Sequence, residues 1–472
     1  METTTEFGSP SYVSECRSRS ADRTANSIDD GIEDAERSRI DDAHDQLESE
    51  ELICLDRQLG RHHDLSFTCR LFVPKDYARI ALSWATLLEP AAGDPDFVTL
   101  QLPDMDGPMI RVFPDEGVTY VLGSDYTGEA KKSFLRLFMY RAKQLGGLGL
   151  HAGTKRLQLV ETGKARTVGQ LFLGLSATGK TTLTCHGFGL EPPESMELLQ
   201  DDVCAMLPGG TVAGSEGGGL YIKTIGLSAK HHASLYEAAT AESAVLENVT
   251  VDRDGNVDFN DGSLTTNGRA SIRRADLPHA ADDIDLDSPD HVFFITRNPL
   301  MPPIAKLSPT EGAAAFMLGE SIQTSAGDPD KAGDSIRVVG TNPFIIGSRG
   351  DEGNRFLELV RDNDVECFLL NTGEVGREGI DIGVSETVTL INGVARETIE
   401  WTTDDRLELT IPESVPGIDI SEYYPPDYIQ DFDDELAVLR SERWEYLSEF
   451  EDLDQAILGS SLATPVGRPR SE

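Results

Sequence analysis

The feature of this chain that most limits its fold is a glycine-containing loop between an apolar run and a helix-forming segment. Residues 174–182 read Gly-Leu-Ser-Ala-Thr-Gly-Lys-Thr-Thr, which fits the G-x-x-x-x-G-K-[ST] phosphate-binding loop. Its glycines let backbone N–H groups surround phosphate oxygens, and the following helix presents its positive end to the same anion. The run Val168–Leu173 is typical of a buried strand, and Thr182–Cys185 can continue as helix. The spacing predicts a nucleoside-triphosphate-binding α/β unit in which Lys180 reaches the outer phosphates and Thr181 holds Mg²⁺.

The charge balance of the chain is strongly acidic. The 472 residues include 82 Asp and Glu against 41 Lys and Arg, a net charge of −41, and only 11 of the basic residues are lysines. Such a surface repels nucleic acid and anionic membranes, so neither is an expected partner. Two interpretations stay open: an acidic interaction surface, or a halophilic adaptation to a salt-rich cytoplasm in which ions screen the self-repulsion. The acids are spread along the whole chain, which favours the second.

The cysteines and the N-terminus bear on the cellular compartment. Six cysteines are scattered with no C-x-x-C pair, which fits reduced thiols better than a disulfide framework or a zinc site. No apolar run approaches membrane-spanning length, and Met1–Glu6 has neither the basic region nor the apolar stretch of a secretory signal. We therefore expect a soluble cytoplasmic protein.

The length of the chain favours two domains. A glycine-rich break at Leu145–Leu150 marks the boundary between them, and the polar stretch Asp29–Glu51 is either a solvated helix or a mobile segment. We predict a mixed α/β substrate-side domain over residues 1–146, a nucleotide- and metal-binding P-loop domain over 147–460, and a disordered tail over 461–472. The expected elements are the strands Cys69–Val73, Met109–Phe113, Val118–Leu122, His291–Thr296 and Val365–Asn371, the helix Tyr77–Leu88, a second helix ending at about Gln144, and a hairpin around Val257–Phe259.

Acidic and imidazole side chains accompany the phosphate loop. Asp201 and Asp202 end an apolar run twenty residues after Thr181, where phosphoryl-transfer proteins place a carboxylate beside Mg²⁺. A histidine alone is more often structural, but His151 is joined here by Lys132, the two acids and the loop. Imidazole and carboxylate suit Mn²⁺, and a lysine ligates only with a neutral amine. The set is therefore a candidate transition-metal site.

Seven motifs, in order along the chain, resemble those of the ATP-dependent phosphoenolpyruvate carboxykinases. The motifs are Tyr126–Lys132, His151, Gly174–Thr182, Asp201-Asp202, Glu216–Thr224, Asn267-Gly-Arg269 and Asn371–Gly373. Gln200 stands where the family has a glycine, as does Ala177 within the loop. The resemblance is strong over about residues 118–320 and implies an α/β, two-domain phosphoenolpyruvate carboxykinase-like fold with a P-loop nucleotide-binding C-terminal domain.

The resemblance also implies a reaction. Oxaloacetate loses CO₂, and the resulting enolate oxygen attacks the γ-phosphate of ATP, giving phosphoenolpyruvate and ADP as in gluconeogenesis. Lys132, His151 and Asp202 would hold Mn²⁺. Thr181 would hold the Mg²⁺ that travels with ATP, with Asp201 behind it.

The remaining site residues follow from the same resemblance. Arg269 would bridge the transferring phosphoryl group and the substrate, and Lys180 would neutralise charge in the transition state. Tyr126 and Lys223 would line the substrate pocket, and Arg19 would clamp a substrate carboxylate. The nucleotide contacts would come from Gly174, Leu175, Ser176, Ala177, Thr178, Gly179, Lys180, Thr181, Thr182, Arg377 and Ser385.

Two other functions stay open. A diverged P-loop relative would phosphorylate a different small acid or use GTP, and a nucleotide sensor would keep the fold without turnover. The lysine, histidine and aspartate of the metal set favour decarboxylation over a plain kinase, and a protein that only binds nucleotide has no need of Arg269. We therefore expect an ATP-dependent phosphoenolpyruvate carboxykinase, a carboxy-lyase.

Overall fold

The computed structural model describes residues 2–175, 178–322, 335–376 and 379–465. The chain forms two compact units. Unit 1 comprises Met1–Gln144, Ala213–Asp285 and Phe344–Gly347, and unit 2 comprises Leu145–Val212, Leu286–Pro343 and Ser348–Glu472. The predicted boundary after residue 146 lies close to the end of the first segment. The predicted continuous C-terminal domain differs from this division, because Ala213–Asp285 returns to unit 1.

The described residues form α-helices of 4 to 18 residues. They are α1 (Asp34–Ser49), α2 (Ala78–Leu87), α3 (Thr127–Gln144), α4 (Lys180–Cys185), α5 (Ala233–Ala239), α6 (Pro309–Leu318), α7 (Arg349–Asp362), α8 (Val384–Ala395), α9 (Phe432–Ser448) and α10 (Gln455–Leu458). The predicted helices around α2 and α3 are confirmed. Of the two possibilities for residues 29–51, a solvated helix or a mobile segment, the structure shows the helix: α1 buries only Ala43. Across the described ranges, no helix combines the length and the apolar character needed to cross a bilayer.

Besides these helices and several short 3-10 turns, the described residues form strands. The first fourteen are β1 (Glu2–Thr4), β2 (Pro10–Tyr12), β3 (Thr24–Asn26), β4 (Leu52–His62), β5 (Leu65–Pro74), β6 (Glu89–Pro90), β7 (Phe97–Leu102), β8 (Met109–Phe113), β9 (Val118–Leu122), β10 (Leu148–Leu150), β11 (Ala152–Glu161), β12 (Lys164–Gly174), β13 (Ser195–Gln200) and β14 (Cys204–Met206). The others are β15 (Val212–Gly214), β16 (Gly219–Lys223), β17 (Val245–Glu247), β18 (Thr250–Val251), β19 (Val257–Asp258), β20 (Arg269–Arg273), β21 (His291–Thr296), β22 (Ile304–Leu307), β23 (Glu320–Ile322), β24 (Ser335–Arg337), β25 (Glu366–Asn371), β26 (Glu374–Val375), β27 (Ile380–Asp381), β28 (Glu400–Asp404) and β29 (Leu409–Ser414). The predicted bounds of β8, β9 and β21 are confirmed, as is the hairpin of β18 and β19.

Unit 1 contains two large sheets besides the short hairpin of β18 and β19. A seven-stranded sheet has the order β3-β8-β9-β7-β5-β4-β6, and a five-stranded sheet has the order β1-β2-β17-β20-β16. Helices α2 and α3 pack through the stacked rings of Trp84 and Phe134, whose centroids lie 4.9 Å apart. Ser83 of α2 shares a hydrogen bond of 2.5 Å with Ser271 of β20. Helix α2 therefore joins α3 to the strand that begins at Arg269.

Unit 2 is built on an eight-stranded sheet with the order β13-β11-β12-β21-β25-β22-β29-β28. Its central strands β12, β21 and β25 are parallel and largely buried, as expected for parallel strands covered on both faces. Phe172, Phe293 and Phe368 occupy one register position of these strands, with successive ring centroids 5.2 and 5.4 Å apart. The stacked rings pack the three central strands against one another on one face of the sheet.

One edge of this sheet gathers three segments that are distant in sequence. Strand β11 is antiparallel to β12, with Ala152 opposite Leu173, and β13 is antiparallel to β11. His151 immediately precedes β11, the phosphate loop follows β12, and Asp201 follows β13. All three segments therefore meet at the same edge.

Two backbone hydrogen bonds join the residue at which the chain leaves unit 2 to the residue at which it returns. The backbone N–H groups of Val212 and Leu286 each donate to the other residue's carbonyl, with N–O distances of 2.8 and 2.9 Å. The segment Ala213–Asp285 therefore departs and returns at one place.

The predicted disordered tail over residues 461–472 is wrong at its start. Residues 461–464 are buried, and the Arg443 guanidinium donates to the Leu462 carbonyl at 3.1 Å. The prediction rested on the Pro, Arg and Ser content of residues 461–472 as a whole, whereas the apolar Leu462 and Ala463 are buried. Residues 466–472 lie outside the described residues.

Candidate active site

The phosphate loop leads from β12 into α4. Gly179 has a φ of +102° and caps α4, a left-handed conformation that glycine adopts at little cost. Thr178 Oγ1 donates to the Leu175 carbonyl at 2.8 Å, which tightens the loop. Ser176 and Ala177 lie outside the described residues. The other predicted loop contacts, Gly174, Leu175, Thr178, Gly179, Lys180, Thr181 and Thr182, are placed in or beside the turn.

Lys180 and Thr181 face the two acids that follow β13. Lys180 Nζ lies 3.7 Å from Asp202 Oδ1 and 3.5 Å from the Asp202 carbonyl oxygen. Thr181 Oγ1 donates to Asp201 Oδ2 at 3.0 Å. The structure thus brings together the lysine, the threonine and both acids that the sequence predicted.

The backbone at Asp202 takes a conformation that is rare for aspartate. Its φ is +89°, which costs about 1–3 kcal/mol where the surroundings impose it. Just before it, the buried Gln200 side chain donates to the Asp201 carbonyl at 2.6 Å. The glutamine that stands in place of a family glycine therefore holds the turn on which both acids sit.

His151 lies beside Asp202 with both ring nitrogens engaged. Nε2 is 2.9 Å from Asp202 Oδ1, and Nδ1 is 2.8 Å from the Thr341 carbonyl oxygen. A carbonyl only accepts, so Nδ1 carries the proton. Burial, and then the charge of Lys180, lowers the pKa of His151 below its ordinary value, although its hydrogen bond with Asp202 acts in the opposite direction. With the Nδ1 proton committed to Thr341, the 2.9 Å contact between Nε2 and Asp202 Oδ1 requires either a second ring proton or a cation between the two atoms.

Two acceptor atoms at this distance fit a shared cation. Neutral imidazole and carboxylate are ligands of divalent transition metals, and a metal-binding histidine commonly donates its other N–H to a backbone carbonyl. Thr341 supplies that carbonyl. Sequence reasoning missed Thr341, because a backbone group leaves no signal in the side chains. His151 and Asp202 thus fit a divalent metal ion.

Unit 1 gathers the predicted substrate residues around two tyrosine rings. The ring centroids of Tyr126 and Tyr221 lie 6.4 Å apart. Lys132 Nζ is 5.9 Å from the Tyr126 centroid, and Arg269 Cζ is 5.5 Å from the Tyr221 centroid. Lys223 is opposite Arg269 on the neighbouring strands β16 and β20, which places both side chains on one face of the sheet.

Arg19 belongs to the same group. Its Cζ is 5.7 Å from the ring centroid of Phe344, and Lys132 Nζ is 5.9 Å from that centroid. Burial lowers the pKa of Arg19, against the opposing effect of nearby Glu129 and Tyr126. The structure therefore brings Arg19 together with the predicted residues at the start of α3.

Lys223 and Arg269 are basic groups close enough to influence each other. Burial, and then the charge of Arg269, lowers the pKa of Lys223 to about 8. The lowered lysine pKa reflects mainly the burial of Nζ and, to a smaller extent, the neighbouring guanidinium charge. A negatively charged ligand would offset both effects.

A buried ion pair supports the position of Lys132. Its neighbour Lys131 lies 3.0 Å from Glu216, and both side chains are 2% exposed. Glu216 begins one of the sequence motifs, but its pairing with Lys131 was not foreseen, because the two residues are far apart in the chain. The pair ties α3 to the segment that leads into β16.

The predicted adenine segment is described only in part. Arg377 lies outside the described residues, and Ser385 is exposed in the first turn of α8. Thr372, from the Asn-Thr-Gly motif, donates its hydroxyl to the Thr178 carbonyl at 2.9 Å. The described contact of this segment with the phosphate loop is therefore made by Thr372.

Together the fold and the site define an α/β nucleotide-binding protein. Unit 2 carries a candidate pair of metal ligands, His151 and Asp202, and unit 1 carries a group of basic side chains that includes Arg19, Lys223 and Arg269. A family profile described as phosphoenolpyruvate carboxykinase matches residues 24–421. Phosphoenolpyruvate carboxykinase (ATP) of Aeropyrum pernix is 35% identical over 453 residues, which cover 94% of this chain and 90% of the relative. The enzymes of the same name from Mesorhizobium japonicum and Chelativorans sp. are 31% and 30% identical over 313 residues, 64% of this chain and 55% of each relative. The chain belongs to the ATP-type phosphoenolpyruvate carboxykinase family, which confirms the resemblance and the fold class predicted from the sequence.

Proposed function

We propose that this protein is an ATP-dependent phosphoenolpyruvate carboxykinase, a carboxy-lyase that converts oxaloacetate and ATP into phosphoenolpyruvate, CO₂ and ADP. One observation carries the proposal. At the sheet edge of unit 2, the pair His151 and Asp202 lies beside Lys180 and Thr181 of the phosphate loop. A simple kinase needs a hydroxyl and a carboxylate for Mg²⁺ but no adjoining imidazole–carboxylate pair. Membership of the family supports the use of ATP and the need for a divalent metal ion.

The nucleotide is held by the phosphate loop in this proposal. Backbone N–H groups at the start of α4 bind the phosphates, and Lys180 neutralises charge as the phosphoryl group moves. Thr181 and Asp201, already joined by a hydrogen bond, are the residues for the Mg²⁺ of ATP. In this assignment the phosphate loop and the first turn of α4 bind the nucleotide.

The second metal ion of the proposal is Mn²⁺. His151 and Asp202 would hold it, and Lys132 stays the further ligand that the family resemblance predicts, with its amine neutral. When bound, the ion would stabilise the negative charge that develops on the substrate oxygen. The Thr341 carbonyl keeps the His151 proton on Nδ1, so that Nε2 is available to the metal.

The cationic group of unit 1 binds and orients the substrate. Oxaloacetate carries two carboxylates, which guanidinium groups bind through paired hydrogen bonds. We assign Arg19 and Arg269 to this task, with Tyr126 and Lys223 beside them. The electron pair of the broken C–C bond passes to the enolate oxygen, which attacks the γ-phosphorus of ATP as the bond to the ADP oxygen breaks. The surrounding positive charge stabilises the enolate.

Product formation tests the proposal. Purified protein in high KCl, which suits the proposed halophilic adaptation, receives oxaloacetate, Mn²⁺ and Mg²⁺ with either ATP or GTP. Phosphoenolpyruvate formed above the control without nucleotide, and lost in Lys180→Met, supports the assignment. Formation with GTP alone overturns the choice of nucleotide, and ATP binding without product overturns the reaction. The six free cysteines support the cytoplasmic location that we also propose.

A further inference from the structure

Asn267 lies among the substrate residues of unit 1 and contacts three different segments. Its Oδ1 accepts a hydrogen bond from Arg269 Nη2 at 2.7 Å. Its Nδ2 donates to the Tyr126 hydroxyl oxygen at 3.2 Å and to the Arg17 carbonyl at 2.8 Å. One amide therefore joins the start of β20, the residue before α3 and the N-terminal segment.

The partners fix the orientation of this amide. A guanidinium only donates and a carbonyl only accepts, so the amide oxygen must face Arg269 and the nitrogen must face Arg17. Reversal of the amide would lose both bonds. Tyr126 lies on the nitrogen side, and its phenolic oxygen therefore acts as the acceptor.

We propose that Asn267 is a positioning residue for the carboxykinase reaction, which holds Arg269, Tyr126 and the segment carrying Arg19 in one arrangement without neutralising their charge. The inference rests on the proposed function, because that function assigns these groups to the substrate.

The neutrality of the amide is the first argument. A carboxylate at this position would hold Arg269 as firmly, but it would cancel the charge that attracts a dianionic substrate. The amide accepts the same hydrogen bond and leaves the guanidinium charge in place. Burial, and after it this guanidinium charge, lowers the pKa of Lys223 on the neighbouring strand.

The hydroxyl of Tyr126 supplies the second argument. Because its oxygen accepts from Asn267, its own O–H is directed to another acceptor. A substrate carboxylate or enolate oxygen is an acceptor of this kind. Asn267 thereby turns a fully buried tyrosine into a directed donor.

The N-terminal segment supplies the third argument. Arg17 is held by its carbonyl at Asn267 and by its guanidinium, which donates to Asn248 Oδ1 at 3.0 Å. Ser14 donates its backbone N–H to the same Asn248 oxygen at 2.9 Å. Arg19 therefore projects from a backbone that is fixed two residues earlier.

Two substitutions separate charge from positioning. Asn267→Asp keeps the shape, removes both donated bonds and sets an anion against Arg269. Asn267→Ala removes the bonds and leaves the charge of Arg269. The measurements are the affinity for oxalate, a non-reacting dicarboxylate, by calorimetry without nucleotide, and kcat and KM for oxaloacetate.

We expect Asn267→Asp to weaken oxalate binding and raise the KM for oxaloacetate by about 10–100-fold, because the new anion competes with a substrate carboxylate for the charge-assisted hydrogen bonds of Arg269. Asn267→Ala should mainly lower kcat, because Arg269 and Tyr126 remain but are no longer held in a fixed orientation. The affinity for ATP should stay unchanged in both, because the phosphate loop lies in unit 2. A purely structural role would lower the melting temperature without this split between KM and kcat.

Asn260→Asp is the matched control, because it adds the same charge on an exposed turn of the same unit; we expect it to match the wild type. Should either variant fail to fold, Asn267→Gln, which shifts the amide by one methylene, serves in its place. Wild-type oxalate affinity and turnover in the Asp and Ala variants, or in the Gln replacement, would overturn the proposal. A wild-type protein that forms no phosphoenolpyruvate would overturn the proposed function, while oxalate binding would still report on Asn267.

Discussion

His151 Nε2 lies 2.9 Å from Asp202 Oδ1, while its other ring nitrogen faces the Thr341 carbonyl. We expect His151→Ala to weaken Mn²⁺ binding by at least about tenfold, since substitutions around metal-binding histidines already cost 10–100-fold in affinity. Electron paramagnetic resonance of free Mn²⁺ during titration of the protein measures the change. His279→Ala removes an exposed histidine of unit 1 and should bind Mn²⁺ as the wild type does. Equal affinities for all three proteins would exclude His151 as a ligand.

Lys155 is a fully buried lysine of strand β11 that contacts the C-terminal end of α4, the helix that follows the phosphate loop. Its Nζ donates to the carbonyls of Leu183 and His186, at 2.5 and 3.0 Å, and lies 3.6 Å from the centroid of the Phe188 ring. Lys155→Met leaves both carbonyls without this donor, so we expect a loss of about 1–3 kcal/mol in the free energy of unfolding. We also expect weaker ATP binding, because the C-terminal end of α4 loses the hydrogen bonds that hold this helix against β11.

Urea unfolding and calorimetry with ATP measure the two effects of Lys155→Met. Lys164→Met is the control, because Lys164 is an exposed lysine of the neighbouring strand β12. A variant that unfolds more easily but binds ATP with wild-type affinity would show that Lys155 serves the fold alone.

The lowered pKa of Lys223 predicts a pH dependence. In the free enzyme Lys223 is charged below about pH 8 and neutral above it, so kcat/KM for oxaloacetate should fall as the pH rises through 8. Lys223→Met should lower kcat/KM and remove this alkaline limb. The exposed Lys230→Met should retain both the value and the limb. An unchanged alkaline limb in Lys223→Met would assign it to another group.

The same shift affects stability with a definite sign. The folded chain releases the Lys223 proton at about pH 8, whereas the ordinary value is 10.5. Between these values the unfolded chain binds more protons, so this residue makes the free energy of unfolding rise with pH. In Lys223→Met that rise should be absent.

Glu320 predicts acid sensitivity in unit 2. Burial alone would raise its pKa, but the charges and hydrogen bonds of Arg443 and Arg337 lower it to about 2. Its stabilising effect is therefore complete above pH 4.5 and disappears as the pH falls towards 2. Glu320→Gln should lose about 3–5 kcal/mol at pH 7, and its deficit against the wild type should shrink below pH 4.5.

Denaturant unfolding at several pH values measures the Glu320 effect. The matched control is Glu358→Gln, which breaks an exposed ion pair with Arg355 and should change stability by no more than about 1 kcal/mol. A deficit in Glu320→Gln that stays constant with pH would contradict the assignment.

Local elements could be read from the sequence because their signals are local. Apolar runs of strand length gave the bounds of β8, β9 and β21, and the phosphate-loop spacing gave the turn from β12 into α4. The sequence also named most site residues through the family motifs. It failed at residues 461–464, because the prediction applied the Pro-, Arg- and Ser-rich composition of the whole tail to these four residues.

What the sequence did not contain was the effect of long-range pairing. The meeting of His151 with Asp202 depends on the antiparallel order of β11, β12 and β13, which no local pattern specifies. The positive φ of Asp202 and the carbonyl of Thr341 are backbone properties. Asn267 was noted only as part of a motif, because its role appears when three segments converge on one amide.

The hydrogen-bonded pair Val212 and Leu286 also has a consequence for engineering. Residues paired in this way can be joined by a turn of about 2–5 residues, so Ala213–Asp285 is replaceable without stretching the chain at either end. The shorter loop would also reduce the entropy lost on closure. The path of unit 2 is thus continuous across this point, and a chain shortened here is a starting scaffold for selecting new ATP-dependent chemistries.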